Sequence, residues 1–344
     1  MAVVAGGKAR LHRVPGLYRE HVKNELWRPL SERSGTPAPT LRTTISRSLE
    51  TQLRHWLFRA MEAEQQLADR ITLRCDLKEL HSCRAHGLAE DEPEDTETQE
   101  DLDVVHLAYC TPAKQLPDVI DTWLDLTPET TPKPIPGLAR SNANFDLFAS
   151  VTGYLMPRAR LRRDLQQLLD DARSTYTLRP DHRGLRHRVD PTVEALAIAA
   201  ATSASNDPER GSAGAHLNRA WTAAYALHPD PVKAYSETIK AVEAAAHATV
   251  EPNNRKATLG SMIKVLENTR ARWVVGIGHA PSSNGAETVE RMMRLLWTGQ
   301  TSRHGGSHPT RDETLAEARA AVNLAVALLS FFTDGLLYQA PSAP

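Results

Sequence analysis

Apolar residues recur at helical spacing along most of this chain. From Thr40 onward, Ile45, Leu49, Leu53, Trp56 and Leu57 fall on one face, and charged residues fill the other as far as Asp69. That is the period of an amphipathic helix. Leu17 to Arg33 has the same character, with Tyr18, Val22 and Leu26 one turn apart, and the Gly35-Thr36-Pro37-Ala38-Pro39 cluster ends it. Ile71 to Leu80 fits a strand as well as a helix. Leu102 to Leu126 is helical again, with a break expected near Pro112 or Pro117. Leu161 to Ala172 sets Leu161, Leu165, Leu168 and Leu169 on one side, and the arginines at its start, Arg158, Arg160, Arg162 and Arg163, are expected to face solvent.

The period then changes. Ser174 to Leu178 and Leu185 to Val189 are short alternating segments around an Asp- and Gly-bearing turn, which predicts a small hairpin. Asp190-Pro191 opens a helix, the aspartate as cap and the proline in the first turn, and Asp230-Pro231 opens another by the same logic. Further helices are expected over Ala213–Leu227, Leu259–Arg270 and Glu287–Trp297, with Arg272 to Gly285 as a loop. Thr310-x-x-Glu313 has the form of a capping box for a last helix reaching Phe332. Helices with short connections argue for a bundle. The fold class expected is mainly α, a C-terminal helical bundle preceded by the hairpin and by a mostly helical N-terminal region.

Composition refines this picture. Thr127 to Pro136 holds four prolines in ten residues and marks a stiff connector. The expected units are therefore a helical N-terminal region over 1–135, a helix-plus-hairpin connector over 136–190, and the bundle over 191–335. Glu90 to Asp103 carries nine acidic residues and no base, the mark of a solvated loop. The net charge of −1 excludes extended wrapping of duplex nucleic acid. Three cysteines, with no apolar leader before them, fit a reducing compartment, so the expected location is the cytoplasm, with no membrane partner. Cys75, His81, Cys83, His86, His106 and Cys110 lack the paired spacings of a zinc site, and no metal or cofactor is expected.

The candidate chemistry lies in Arg303-His304-Gly305-Gly306-Ser307-His308. A guanidinium offers a planar fork of donors to phosphate oxygens, and an imidazole exchanges protons near neutrality. In the helix from Pro231, Lys240, Glu243 and His247 form a polar stripe within an alanine-rich segment. A carboxylate there needs a donor nearby, and Arg303 or a loop histidine is the expected partner of Glu243. A basic surface loop beside a wet ion pair is the plainer alternative.

Three landmarks in order resemble one family. Ala234 to Ala244 looks like the first core helix of HEPN-domain proteins of the abortive-infection type. Lys256-Ala257-Thr258-Leu259-Gly260 resembles the start of their next helix. Leu296-Trp297 followed by Arg303-His304 and His308 is similar to their Arg-polar-x3-His signature. The resemblance covers roughly residues 210–335. It implies a metal-independent endoribonuclease in which Arg303 and His308 are catalytic and His304, Glu243 and Lys240 support them. It also implies an RNA substrate, a homodimer that brings two loops together, and a setting in phage defence, abortive infection or a toxin or stress system, with an antitoxin or sensor as a possible partner. A non-catalytic HEPN-fold module binding RNA, a nucleotide or a partner protein is the alternative.

Overall fold

The stripe beginning at Ile45 becomes α1 (Arg47–Glu62), whose Leu49, Leu53, Trp56, Leu57, Ala60 and Met61 are buried. The computed structural model describes residues 41–42, 44–62, 64–77, 99–128, 156–277, 283–302 and 310–340. Among these the chain is mainly helical, with eleven α-helices and two two-stranded antiparallel sheets. The segment expected to be helical between Leu17 and Arg33 and most of the acidic run lie outside the described residues.

Two hydrophobic cores organise the molecule. The first gathers α1, α2 (Ala68–Arg74), α3 (Gln99–Cys110), α4 (Leu116–Leu126), α5 (Met156–Asp171), β1 (Tyr176–Leu178) and β2 (Leu185–His187). The rings of Trp56 and Trp123 meet edge to face at 5.3 Å, and the Trp56 indole donates to the Leu161 carbonyl at 2.7 Å. In β1 and β2, Tyr176 pairs with His187 and Leu178 with Leu185. Of the segment 136–190, the part described from Met156 packs into this first core, because Leu161, Leu165, Leu169, Leu178 and Leu185 all bury there.

Arg162 departs from its expected solvent exposure. It is 1% exposed, stacks over Trp123 and donates to the carbonyls of Leu124 and Thr127. Those carbonyls sit at the C-terminal end of α4, where a helix leaves acceptors unanswered and carries partial negative charge. The guanidinium satisfies both demands, so burial of the charge is tolerated.

The second core holds α6 (Pro191–Asn206), α7 (Ala213–Tyr225), α8 (Pro231–Val250), α9 (Leu259–Asn268), α10 (Ser283–Gly299) and α11 (Leu315–Thr333). Asp190 caps α6 by accepting from the Thr192 and Val193 amides, and Asp230 caps α8 by accepting from the Lys233 amide. Alanines at 220, 224, 241, 245, 318, 321 and 325 are buried where α7, α8 and α11 pack together. Arg210 locks this packing, donating to the Ala245 and Phe332 carbonyls and to the Thr249 hydroxyl. By length and composition α11 could cross a membrane, yet Ala318, Val322, Leu328, Leu329 and Phe332 are buried in this core.

Two local readings need correction. The stretch Arg272 to Gly285 is not simply a loop: Trp273–Val275 forms β3 and pairs with β4 (Leu337–Gln339), and α10 then starts at Ser283. The capping box at the last helix belongs to Thr314 and Glu317, four residues beyond Thr310 and Glu313. The two cores meet where His228 reaches Asp118 at 2.5 Å and a β-bridge joins Arg186 to Ala226.

Candidate functional site

Arg303, His304 and His308 lie outside the described residues, and so does any pairing of theirs with Glu243. The structure does define the stems from which that loop springs. Ser302, the residue before Arg303, gives both its amide (2.9 Å) and its hydroxyl (3.0 Å) to one oxygen of Glu313. The Thr301 hydroxyl crosses to the Arg311 carbonyl at 2.9 Å, closing the neck of the loop. On the return side, the Arg311 guanidinium forks onto Glu317, whose carboxylate also accepts from the Thr314 amide.

Glu313 is 3% exposed. Burial pushes its carboxyl up, but the Ser302 amide and hydroxyl more than offset this and hold it below the usual carboxylate range. Its second oxygen is buried with no hydrogen-bond partner among the described residues. Tyr235 of α8 lies close by, its phenol donating to the Leu296 carbonyl at 3.2 Å. Burial, then the charges of Glu313 and Glu317, push this phenol up to about 12. Gly299 ends α10 against it: a Cβ there would sit 2.3 Å from the Tyr235 oxygen, so any larger residue would force the phenol to shift.

Two turns further along α8, Glu243 accepts from the Leu259 amide at 2.7 Å. Leu259 opens α9, whose first amides are unanswered within the helix, and a carboxylate there is favoured by the positive end of the helix. Thr258 and Ser261 complete the start as a reciprocal capping box. Gly260 follows, and a Cβ on it would stand 2.8 Å from the Trp297 ring. Trp297 lies in the last turn of α10, six positions before Arg303. The α8 stripe, the Thr-Leu-Gly turn and the Trp-to-loop segment thus form one contiguous contact: Glu243 to Leu259, Gly260 to Trp297, and then the loop stem.

The Lys240, Glu243 and His247 stripe does not act as a unit. Lys240 donates to Glu237 at 2.7 Å, and the His247 ring sits 2.9 Å from the Asn254 carbonyl. Glu237 is the better-furnished carboxylate, meeting Lys240, the Arg219 Nε at 2.7 Å and the His216 Nδ1 at 2.8 Å. Burial raises its carboxyl, but these three partners overcome that and bring it down to about 2. Sequence reasoning missed Glu237 and Glu313. For Glu313 the available signal was a second Thr-x-x-Glu register immediately downstream, which frees it from capping.

Among the described residues no group of three or more His, Cys, Asp or Glu residues is arranged to hold a metal ion; His81, Cys83 and His86 lie outside them. Cys75 and Cys110 are half-buried, and the Cys75 thiol lies 3.4 Å from the Thr122 hydroxyl. The outward positions of α11 are Ala316, Ala320, Asn323 and Ala327, a small-residue strip on its solvent side. Compared with protein-family models, with curated proteins and with solved structures, the chain matches none.

Proposed function

We propose that this chain is a metal-independent endoribonuclease of HEPN type, acting in phage defence or a related toxin or stress response in the cytoplasm. The observation that supports the reading is the contact of its three sequence landmarks: Glu243 on the Leu259 amide, Gly260 on Trp297, and the loop stem pinned through Ser302 by Glu313. Residues far apart in sequence and picked out as one signature converge at one end of the bundle.

In this reading Arg303 grips the scissile phosphate and answers the charge that develops on its oxygens. His308 takes the proton of the neighbouring 2′-hydroxyl, whose oxygen attacks phosphorus. The bond to the 5′-oxygen breaks, that oxygen leaves with the proton His308 has taken up, and a 2′,3′-cyclic phosphate remains. The nucleophile exists only in RNA, which sets substrate class without base reading. His304 orients the pair, and Glu243 steadies the loop through α9 and Trp297. Lys240 contributes at most through Glu237. A second copy, related by a two-fold axis, brings its own loop to the same cleft.

A substrate with a single 2′-deoxy nucleotide at the cleavage site tests the chemistry. The all-RNA strand is expected to be cut to a cyclic phosphate end, and the deoxy-substituted strand to stay intact there. Cutting of both strands, or RNA binding without any product, would overturn the assignment.

A further inference from the structure

A cavity of about 580 Å³ opens between α5 and the β1–β2 hairpin, on the first core. Among the described residues its lining carries Arg162, Arg163, Arg179, Arg186 and His182, with no aspartate or glutamate. Two of those arginines answer carboxylates outside the lining: Arg179 meets Asp181 and Arg186 meets Glu194, each at 2.8 Å. Arg163 makes no hydrogen bond or ion pair among the described residues.

We propose that this cavity is a binding site for the polyphosphate group of a nucleotide. Arginine forks match phosphate oxygens two at a time, and several around one hollow suit a chain of phosphates better than a single one. The volume is within the range of small-molecule sites. Among the described lining residues none is Phe, Tyr or Trp, and the groups they offer a ligand are the arginine forks, which suit phosphates. The walls are fixed before any ligand arrives. Gln166 of α5 accepts from the Leu178 amide and the Thr177 hydroxyl, and Arg162 donates to the His182 carbonyl. The cavity belongs to the first core and is built without any residue of the second, so the proposal does not depend on the ribonuclease reading.

The test is calorimetric titration of the full chain at physiological ionic strength with sodium tripolyphosphate, ATP, GTP and AMP. Tripolyphosphate, ATP and GTP are expected to saturate one site with similar affinities, and AMP to bind more weakly. Arg163→Ala removes an exposed, unpaired side chain and leaves the fold intact; it is expected to weaken tripolyphosphate binding about tenfold, the loss of one charge-assisted contact. Arg291→Ala, on the outer face of α10, serves as the charge control and is expected to change nothing. RNA oligonucleotides with a 5′-triphosphate or a 5′-hydroxyl separate the two sources. Binding of the triphosphorylated end alone assigns the phosphates to RNA, and binding of free nucleotides alone assigns them to the nucleotide pool. Absence of saturable tripolyphosphate binding, equal affinity in Arg163→Ala, or capture of 5′-hydroxyl RNA that tripolyphosphate does not displace would each overturn the proposal.

Discussion

Removing the carboxylate of Glu313 is the sharpest perturbation of the loop stem. Glu313→Ala strands the Ser302 amide and hydroxyl, which it holds at 2.9 and 3.0 Å. Both donors are only half-buried, so water recovers part of the loss, and about 1 kcal/mol for each bond is appropriate. The one methylene leaving a buried site adds about 0.8 kcal/mol. Relief of a buried charge whose second oxygen has no partner offsets part of this. The net expectation is destabilisation of the second core by about 2 kcal/mol. Glu313→Gln keeps the shape and one acceptor and should lose about 1 kcal/mol, the charge-assisted share. Urea unfolding followed by the fluorescence of Trp221, Trp273 and Trp297 measures both changes. In the functional assay both variants should lose RNA cleavage while still folded, because Arg303 follows directly on Ser302. A Glu313→Ala protein within about 0.5 kcal/mol of the parent, the range of an ordinary surface change, would refute the reasoning that this carboxylate holds the stem.

Other outcomes follow from the same contacts. Gly260→Val should destabilise by about 1–3 kcal/mol through overpacking against Trp297, and Trp297→Leu should relieve most of it, a coupling that a double-mutant cycle in urea reads directly. Arg210→Ala takes the side-chain donor from the Ala245 and Phe332 carbonyls and the partner from Asp207, and should cost about 2–4 kcal/mol by the same measurement. Because the folded Glu237 carboxyl is depressed to about 2, its stabilising contribution should be complete above its unfolded value and fade as pH falls from about 4.5 towards 2. Acid unfolding of Glu237→Gln should accordingly show a flatter pH dependence in that window. Lys240→Ala, which removes an exposed partner of Glu237, should change stability by less than about 1 kcal/mol and leave RNA cleavage at the parent level.

Much of the helical framework was readable because its signals are local. Asp230-Pro231 announces α8 by cap and first-turn geometry, and the residues between Leu49 and Leu57 announce α1 by period. What escaped was decided by partners distant in sequence. β3 is three residues long and meets its partner only at Leu337, so no local pattern distinguishes it from a loop. Arg162 and Arg210 are charged residues in amphipathic settings, and partners contributed by other elements, carbonyls among them, make their burial tolerable. The capping box was ambiguous in itself, since Thr310-x-x-Glu313 and Thr314-x-x-Glu317 follow directly on one another. The second register wins because Glu313 is engaged by Ser302. At the site, Glu243 stood out as a carboxylate among alanines, and one of its donors among the described residues is a helix-start amide that side-chain spacing does not reveal.

The most direct measurement incubates purified parent, Arg303→Ala and His308→Ala proteins with RNA in excess EDTA and analyses the product ends. The account predicts cleavage by the parent to cyclic phosphate ends, and none by either variant at unchanged stability. Cleavage that survives both substitutions, or that disappears from the parent with the chelator, would contradict it.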